Sequence, residues 1–242
     1  MSAPRVLVVE HQRDASLGHF AAELAEAGVE PVVVGPDTGS PVPESLDGFD
    51  ALLVLGGSMG PLDDEEAAWL PATRSLLQAS VARELPTLGI CLGAQLLATA
   101  TGGHVRTMPD GPEVGLLRLQ FSASAADDPV FADLADRCVR AVQWHWLEVE
   151  KLPEGAQVIA SSEACAHQVF RIGNAAWGVQ FHPEALGRTA QDWADEDPKS
   201  LEVLGIEPRA LVEEIRATEP VLRETWSQIA RRFGALAMER SS

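Results

Sequence analysis

A short apolar run, residues 88–90, breaks at Cys91 and passes at once into a helix-forming run, residues 94–100. Glycines flank the cysteine two positions to either side, giving Gly89-Ile90-Cys91-Leu92-Gly93. This is the pattern of a sharp strand-to-helix turn with a nucleophile at its apex. A strand that turns directly into a helix brings its two arms close together, and side chains at the flanking positions would collide. The apex residue is lifted clear of the sheet and stands at a helix start. Free N–H groups and the positive end of the helix dipole favour a thiolate there. A buried cysteine in an ordinary strand–helix turn satisfies the same pattern, because free cysteine behaves as a small hydrophobe. The rest of the chain has to decide between the two.

The preceding residues supply the sheet. Residues 6–9, 29–34 and 51–55 are short, apolar and rich in β-branched side chains, as buried parallel strands are. Between the first two, residues 17–27 place Phe20, Leu24 and Ala27 on one helical face, with Gly28 as a C-cap. Strands alternating with helices predict an α/β fold with a doubly wound, mostly parallel central sheet flanked by helices. After the third strand comes Gly56-Gly57-Ser58-Met59-Gly60, where an open α/β sheet keeps its ligand crevice. Glycine there lets backbone N–H groups turn toward an anion or oxyanion, although a tight turn alone needs the same residues. No Lys follows, so this is not a phosphate loop. The acidic run Asp63-Asp64-Glu65-Glu66 reads as the first turn of a helix, and residues 71–83 as a further helix. A metal site is the sharper alternative for the acidic run, but no His stands near it.

Composition narrows the function. A net charge of −18 leaves nothing to neutralise a phosphate backbone, so a nucleic-acid partner is not expected. The three cysteines, Cys91, Cys138 and Cys165, are too few and too widely spaced for a disulfide framework or a zinc ribbon. That fits a reducing cytoplasm. No apolar run reaches the length of a membrane span, and residues 6–9 are too short for a signal-peptide core. Cys138 and Cys165 lack glycine neighbours and read as inert.

From residue 104 to 181 the chain is β-rich. Strands are predicted at 116–121, 139–144, 158–161, 168–172 and 176–181, the last two joined by a hairpin at Gly173-Asn174. They extend the sheet on one edge or form a small second sheet. The segment from about 186 onward is mostly helical, with Leu222, Trp226, Ile229 and Phe233 on one apolar face. Residues 191–197 read as an acidic surface loop ended by a proline. With no repeat and no linker, one unit spanning 1–242 is expected: a catalytic core of about 1–187 and a helical extension of about 188–242.

The second informative stretch is Trp177-Gly178-Val179-Gln180-Phe181-His182-Pro183-Glu184. Proline disfavours helix at the residue before it. If the chain stays extended, His182 and Glu184 point to one side. With Cys91 they complete a nucleophile, base and orienter in that chain order. A strand-end His and Glu bonded to backbone or water is the plain alternative. Of the other histidines, His145, in Gln143-Trp144-His145-Trp146, precedes a loop and is placed to line the pocket. His11, His19, His104 and His167 have no partner pattern and read as structural.

Gly89-Ile90-Cys91-Leu92-Gly93-Ala94-Gln95 together with Gln180-Phe181-His182-Pro183-Glu184 resembles the class I (triad) glutamine amidotransferase family, with its flavodoxin-like fold. The nearest likeness is to standalone proteins similar to the glutaminase domain of GMP synthase. The resemblance runs from the first strand to about Glu184, with Gly56-Gly57, Glu113-Val114-Gly115 and Gln143-Trp144-His145 as less specific landmarks. It implies that Cys91 attacks the side-chain amide of L-glutamine, that His182 shuttles the proton, and that Glu184 holds the imidazole. It further implies an oxyanion hole from the backbone N–H groups of Gly57 and Leu92, and substrate contacts from Gly56, Gln95, His145 and Trp146. No cofactor or metal is implied. Relatives often have Gly-Asp where this chain has Trp146-Leu147, which bears on which γ-amide is taken. No synthetase domain follows, so ammonia would pass to a separate synthetase or acceptor protein. The alternatives are a γ-glutamyl peptidase or hydrolase using the same triad, and a non-catalytic binding or regulatory module.

Overall fold

The computed structural model describes residues 3–241; Met1, Ser2 and Ser242, at the ends of the expected 1–242 unit, lie outside it. The first half alternates strand and helix: β1 (Arg5–Val9), α1 (Phe20–Glu26), β2 (Glu30–Val34), β3 (Ala51–Val54), α2 (Leu70–Ala82), β4 (Thr87–Ile90) and α3 (Leu92–Ala100). The second half supplies β5 (His104–Thr107), β6 (Glu113–Phe121), β7 (Cys138–His145), β8 (Leu147–Lys151), β9 (Gln157–Ser161), β10 (Val169–Ile172) and β11 (Ala176–Val179). Helices α4 (Gly187–Glu196), α5 (Pro198–Val203) and α6 (Pro208–Ser241) close the chain. No helix among the described residues is long and apolar enough to cross a membrane.

The main sheet has nine strands in the order β2-β1-β3-β4-β11-β10-β9-β6-β7. From β2 through β11 neighbours are parallel; from β11 onward they are antiparallel. Strict alternation along the strands sorts side chains to two faces. Val6, Val8, Ala51 and Leu53 pack with Phe20 and Leu24 of α1 and Trp226, Ile229 and Phe233 of α6. Leu7, Val9, Leu52 and Val54 pack with Leu76 and Leu77 of α2 and Leu96 and Leu97 of α3. The stripe expected on the last helix is therefore a core face, and Trp226 sits 4.7 Å, centroid to centroid, from Phe181.

The β-rich half both extends the sheet and forms a second one. β6, β7, β9 and β10 join the antiparallel edge, while β5 and β8, which the periodicity does not reveal, make a two-stranded sheet beside α3. The hairpin at Gly173 is present, with Ile172 paired to Ala176.

Three local expectations are corrected. Residues 63–66 form turns, not a helical turn: Asp63 accepts from the Gly60 amide at 2.6 Å and Asp64 pairs with Arg74, so side-chain bonds hold the run. The helix expected over 17–27 begins only at Phe20. Gly18 has φ +51°, and a Cβ there would strike the Glu184 carbonyl, so the chain bends to meet the 182–184 segment. Residues 191–196 are not a loop but the body of α4, whose buried face carries Ala190, Trp193 and Ala194.

Candidate active site

The sheet register brings distant residues to one edge. β4 lies between β3 and β11, with Gly89 level with Val54 and Ile90 level with Val179. All three strands run the same way, so Gly56, Cys91 and His182 leave the sheet side by side at their carboxyl ends. The β1 exit adds Gln12 and Asp14 to the same edge, because Val9 lies level with Val54.

Cys91 caps α3 at φ +51° and ψ −107°, a backbone shape that non-glycine residues rarely adopt. The flanking glycines are required by contact. A Cβ at Gly89 would run into the carbonyl of Gly93, and one at Gly93 into the carbonyl of Val54. The strained turn is held by Cys91 N donating to Val179 O at 2.7 Å, Gly93 N to Leu55 O at 3.1 Å and Gln95 N to Cys91 O at 3.1 Å. Leu92 opens α3, so its N–H is among those without an intrahelical acceptor.

His182 is held by its backbone N–H, which donates to Val142 O at 2.8 Å. The chain then turns at Pro183 instead of staying extended. The turn still carries Glu184 to the imidazole, with Nδ1 2.7 Å from Oε1. Both side chains are buried. His19 fastens this turn: its Nε2–H donates to Pro183 O at 2.8 Å and its backbone N–H to Glu184 O at 3.2 Å. Burial works against charge on the His182 ring. The Glu184 carboxylate and the hydrogen-bonded Cys91 outweigh it, so its pKa is pushed up to about 10. Nδ1 is taken by Glu184, so Nε2 is the ring nitrogen left to exchange a proton with Cys91. The arrangement can hold a thiolate–imidazolium pair and move one proton between sulfur and ring.

A cavity of about 400 Å³ opens over these residues, lined among others by Gly57, Cys91, Gln95, His145, Trp146 and His182. Gly56, expected as a substrate contact, does not line it and packs instead against His182 and Cys91. A Cβ there would lie 2.9 Å from His182 Cε1 and 3.6 Å from Cys91 Cβ. Gly57 has the same need for a bare Cα, being closed in by Met59, His11 and Leu92. The glycine loop is pinned where Ser58 N donates to Gln12 Oε1 at 2.7 Å. His11 braces it from beneath. It accepts the Trp69 indole N–H at 2.9 Å, and burial pushes its pKa down to about 4.

Gln95 Nε2 donates to Leu147 O at 3.3 Å and to Gln180 Oε1 at 3.4 Å. A carbonyl can only accept, so this fixes the amide with nitrogen inward and Oε1 free for a donor. His145 Nδ1 donates to the same Leu147 carbonyl at 2.9 Å, and its Nε2 lies 3.2 Å from Glu113 Oε2. Thus Gln95, His145 and Trp146 do meet at the cavity, with Trp146 the most exposed of them. Cys138 and Cys165 do not line it, the first being exposed on β7 and the second buried. Burial pushes the Cys165 thiol up to about 12.

Sequence reasoning missed Trp193 and Glu196 of α4, and Asp14, all of which line the cavity. The spacing of Ala190, Trp193 and Ala194 was the available signal, hidden under an acidic composition.

The family profile described as glutamine amidotransferase class-I matches residues 16–194, a span that contains Cys91, His182 and Glu184. The chain belongs to the class I glutamine amidotransferases. Like other members of that family, it is an amide-cleaving enzyme. This class I chain is 32% identical over 182 residues to a glutamine-hydrolyzing GMP synthase subunit of Natronomonas pharaonis, covering 74% of this chain and 88% of that one. It is 29% identical over 151 residues to Gamma-glutamyl peptidase 3 of Arabidopsis thaliana, covering 60% and 58%. Its fold superposes on a crystal structure of a glutamine amidotransferase from Thermotoga maritima with a TM-score of 0.85 at 28% identity, covering 96% and 98%.

Proposed function

We propose that this class I amidotransferase hydrolyses the side-chain amide of L-glutamine through a Cys91-His182-Glu184 triad and passes the ammonia to a separate synthetase or acceptor enzyme in the cytoplasm. The observation that carries the reading is the geometry of His182. One ring nitrogen is held by a buried carboxylate at 2.7 Å, and the ring stands beside a cysteine on a strained turn that helps to raise its pKa.

The steps follow from that geometry. The Cys91 proton passes to His182 Nε2, and the thiolate attacks the amide carbon. The oxygen takes the charge against the N–H groups of Gly57 and Leu92. His182 returns the proton to the leaving nitrogen, ammonia departs, and a γ-glutamyl thioester remains. Water then attacks with His182 as base, releasing glutamate and restoring the Cys91 thiol. Glu184 stays ionised and holds Nδ1–H, fixing the ring and stabilising the imidazolium. Gln95 Oε1, with its nitrogen committed elsewhere, suits the amino group of the glutamyl moiety. We read the helices after residue 188 as part of this one catalytic unit, because α4 walls the cavity.

A second reading is a γ-glutamyl peptidase or hydrolase. The cavity favours it: about 400 Å³ leaves room beyond a glutamine side chain, and Trp144, Trp146 and Trp193 offer indole surface to a larger leaving group. Incubation with glutamine and with a panel of γ-glutamyl peptides, following ammonia and glutamate, separates the two. Turnover of glutamine supports the amidotransferase, and turnover of peptides alone sinks it.

A further inference from the structure

Helix α4 brings one side chain against the base. The Trp193 ring centroid lies 4.5 Å from that of His182, with the planes inclined at 61°. The indole is fixed on two further sides. Its Nε1–H donates to Asp14 O at 3.0 Å, and it packs against Trp144 with centroids 5.5 Å apart. Resting on the assignment of His182 as the base, we propose that Trp193 is a positioning residue that holds the His182 ring against Cys91 and stabilises its imidazolium form through the aromatic contact.

The physical reason is a difference between two states. A cation over the face of an indole, within about 6 Å of its centroid, is attracted by the ring quadrupole, most strongly where water is excluded, whereas one at the ring edge is repelled. A neutral imidazole at the same place gains only dispersion. Trp193 and His182 are both buried, so the contact favours the charged ring and, with it, the thiolate. The titratable groups that act on His182 are Glu184 on its own turn and Cys91 at the α3 start, while Asp14 on the β1–α1 loop and Glu196 and Asp197 at the α4 end line the same cavity. His19 holds the Pro183 carbonyl, and His145 lies on another wall of the cavity. None of these carries an aromatic face to the ring. A substitution at 193 therefore isolates the indole, provided the bond to Asp14 is controlled for.

The test follows His182 by NMR in protein labelled with [13Cε1]histidine, titrated from pH 6 to 11, its signal assigned by its loss in His182→Asn. An attraction to the charged form raises the midpoint, so removing it lowers the midpoint. Trp193→Leu, which keeps the site apolar, is expected to lower it by about one pH unit. Trp193→Phe, which keeps a ring but loses the N–H, is expected to leave it nearly unchanged. No shift in Trp193→Leu overturns the proposal. An equal shift in both variants also overturns it, because the effect then belongs to the Asp14 bond. If Trp193→Leu does not fold by circular dichroism, Trp193→Met takes its place under the same criteria. Cys91→Ala reports separately on the underlying reading: it should also lower the midpoint, and an unchanged midpoint there means that Cys91 and His182 are not paired, whatever residue 193 does.

Discussion

Glu184→Gln tests the site most sharply, because it removes a charge and keeps the shape. Oε1 sits 2.7 Å from His182 Nδ1, and the other oxygen, Oε2, is buried with no hydrogen-bond partner among the described residues. With charge centres about 4 Å apart and an effective permittivity of about 20, the attraction between carboxylate and imidazolium is about 4 kcal/mol. Burying a half-satisfied carboxylate offsets part of this. About 1.5–3 kcal/mol remains for the charge-assisted bond, of which a neutral amide oxygen retains about 1 kcal/mol. The imidazolium formed on the way to the thioester is therefore raised by about 0.5–2 kcal/mol, and kcat should fall roughly 2- to 30-fold. His182→Asn removes the proton carrier itself and should cost more, roughly a thousandfold in all. The assay is kcat on whichever γ-glutamyl amide the protein turns over, with urea denaturation alongside. Stability should change by less than about 1 kcal/mol, since the imidazole can discharge when its partner is lost. Unchanged kcat in Glu184→Gln, or a greater loss than in His182→Asn, would refute the assignment of orienter and base.

Cys91→Ala should abolish turnover, while Cys138→Ala and Cys165→Ala keep most of it, since one thiol is exposed away from the cavity and the other is buried and pushed up to about 12; iodoacetamide inactivation mapped by mass spectrometry checks the assignment. Gly93→Ala drives a methyl into the Val54 carbonyl and should destabilise by about 3 kcal/mol or more, with kcat falling too, because the Cys91 turn has to open; a chemical melt within about 0.5 kcal/mol of wild type would show that the turn is not tight. Glu23 of α1 is bonded to Ser227 Oγ at 2.6 Å and to Arg231 at 2.7 Å on α6. Burial raises its pKa, but the bonds to Ser227 and Arg231 outweigh that and leave it lowered. A lowered carboxylate contributes stability above its unfolded pKa of about 4.3 and loses it as pH falls through the folded value. Glu23→Gln should thus cost about 1 kcal/mol at pH 7 and progressively less as pH falls below about 4.3, and a gap in urea midpoint that does not narrow with acidification would contradict the tie between the helices.

Much of the site is legible in the sequence because its chemistry is local along the chain. Gly93 answers to the Val54 carbonyl of the neighbouring strand, but Gly89 follows from the collision of two arms of one turn, and the His182-Pro183-Glu184 triplet follows from three adjacent residues. Those are short-range steric and bonding constraints, and they dictate residue type wherever the turn sits. The expected Glu184 geometry is right in outcome and wrong in route: the chain turns at Pro183, and the carboxylate still reaches Nδ1.

Other features depend on what the chain packs against. The pattern of residues 191–197, dominated by Asp, Glu and Gln, hides a helix whose few apolar positions, Ala190, Trp193 and Ala194, are all buried, and which packs chiefly on α6, so composition outweighs spacing. β5 and β8 are short and half exposed, and only their pairing with each other makes them strands. Their existence is a long-range fact.

The sequence by itself determined the strained turn at Cys91, the presence of a histidine and a carboxylate two residues apart, and an alternating strand–helix order that implies a parallel sheet. Only the tertiary structure decided that β11 inserts next to β4 with Val179 level with Ile90, although the two strands are separated by the whole antiparallel half of the chain. That pairing places His182 beside Cys91, and α4 then closes the cavity with Trp193. Strand neighbours and helix docking are set by burying complementary faces across long loops, a sum over many weak contacts that no short motif records.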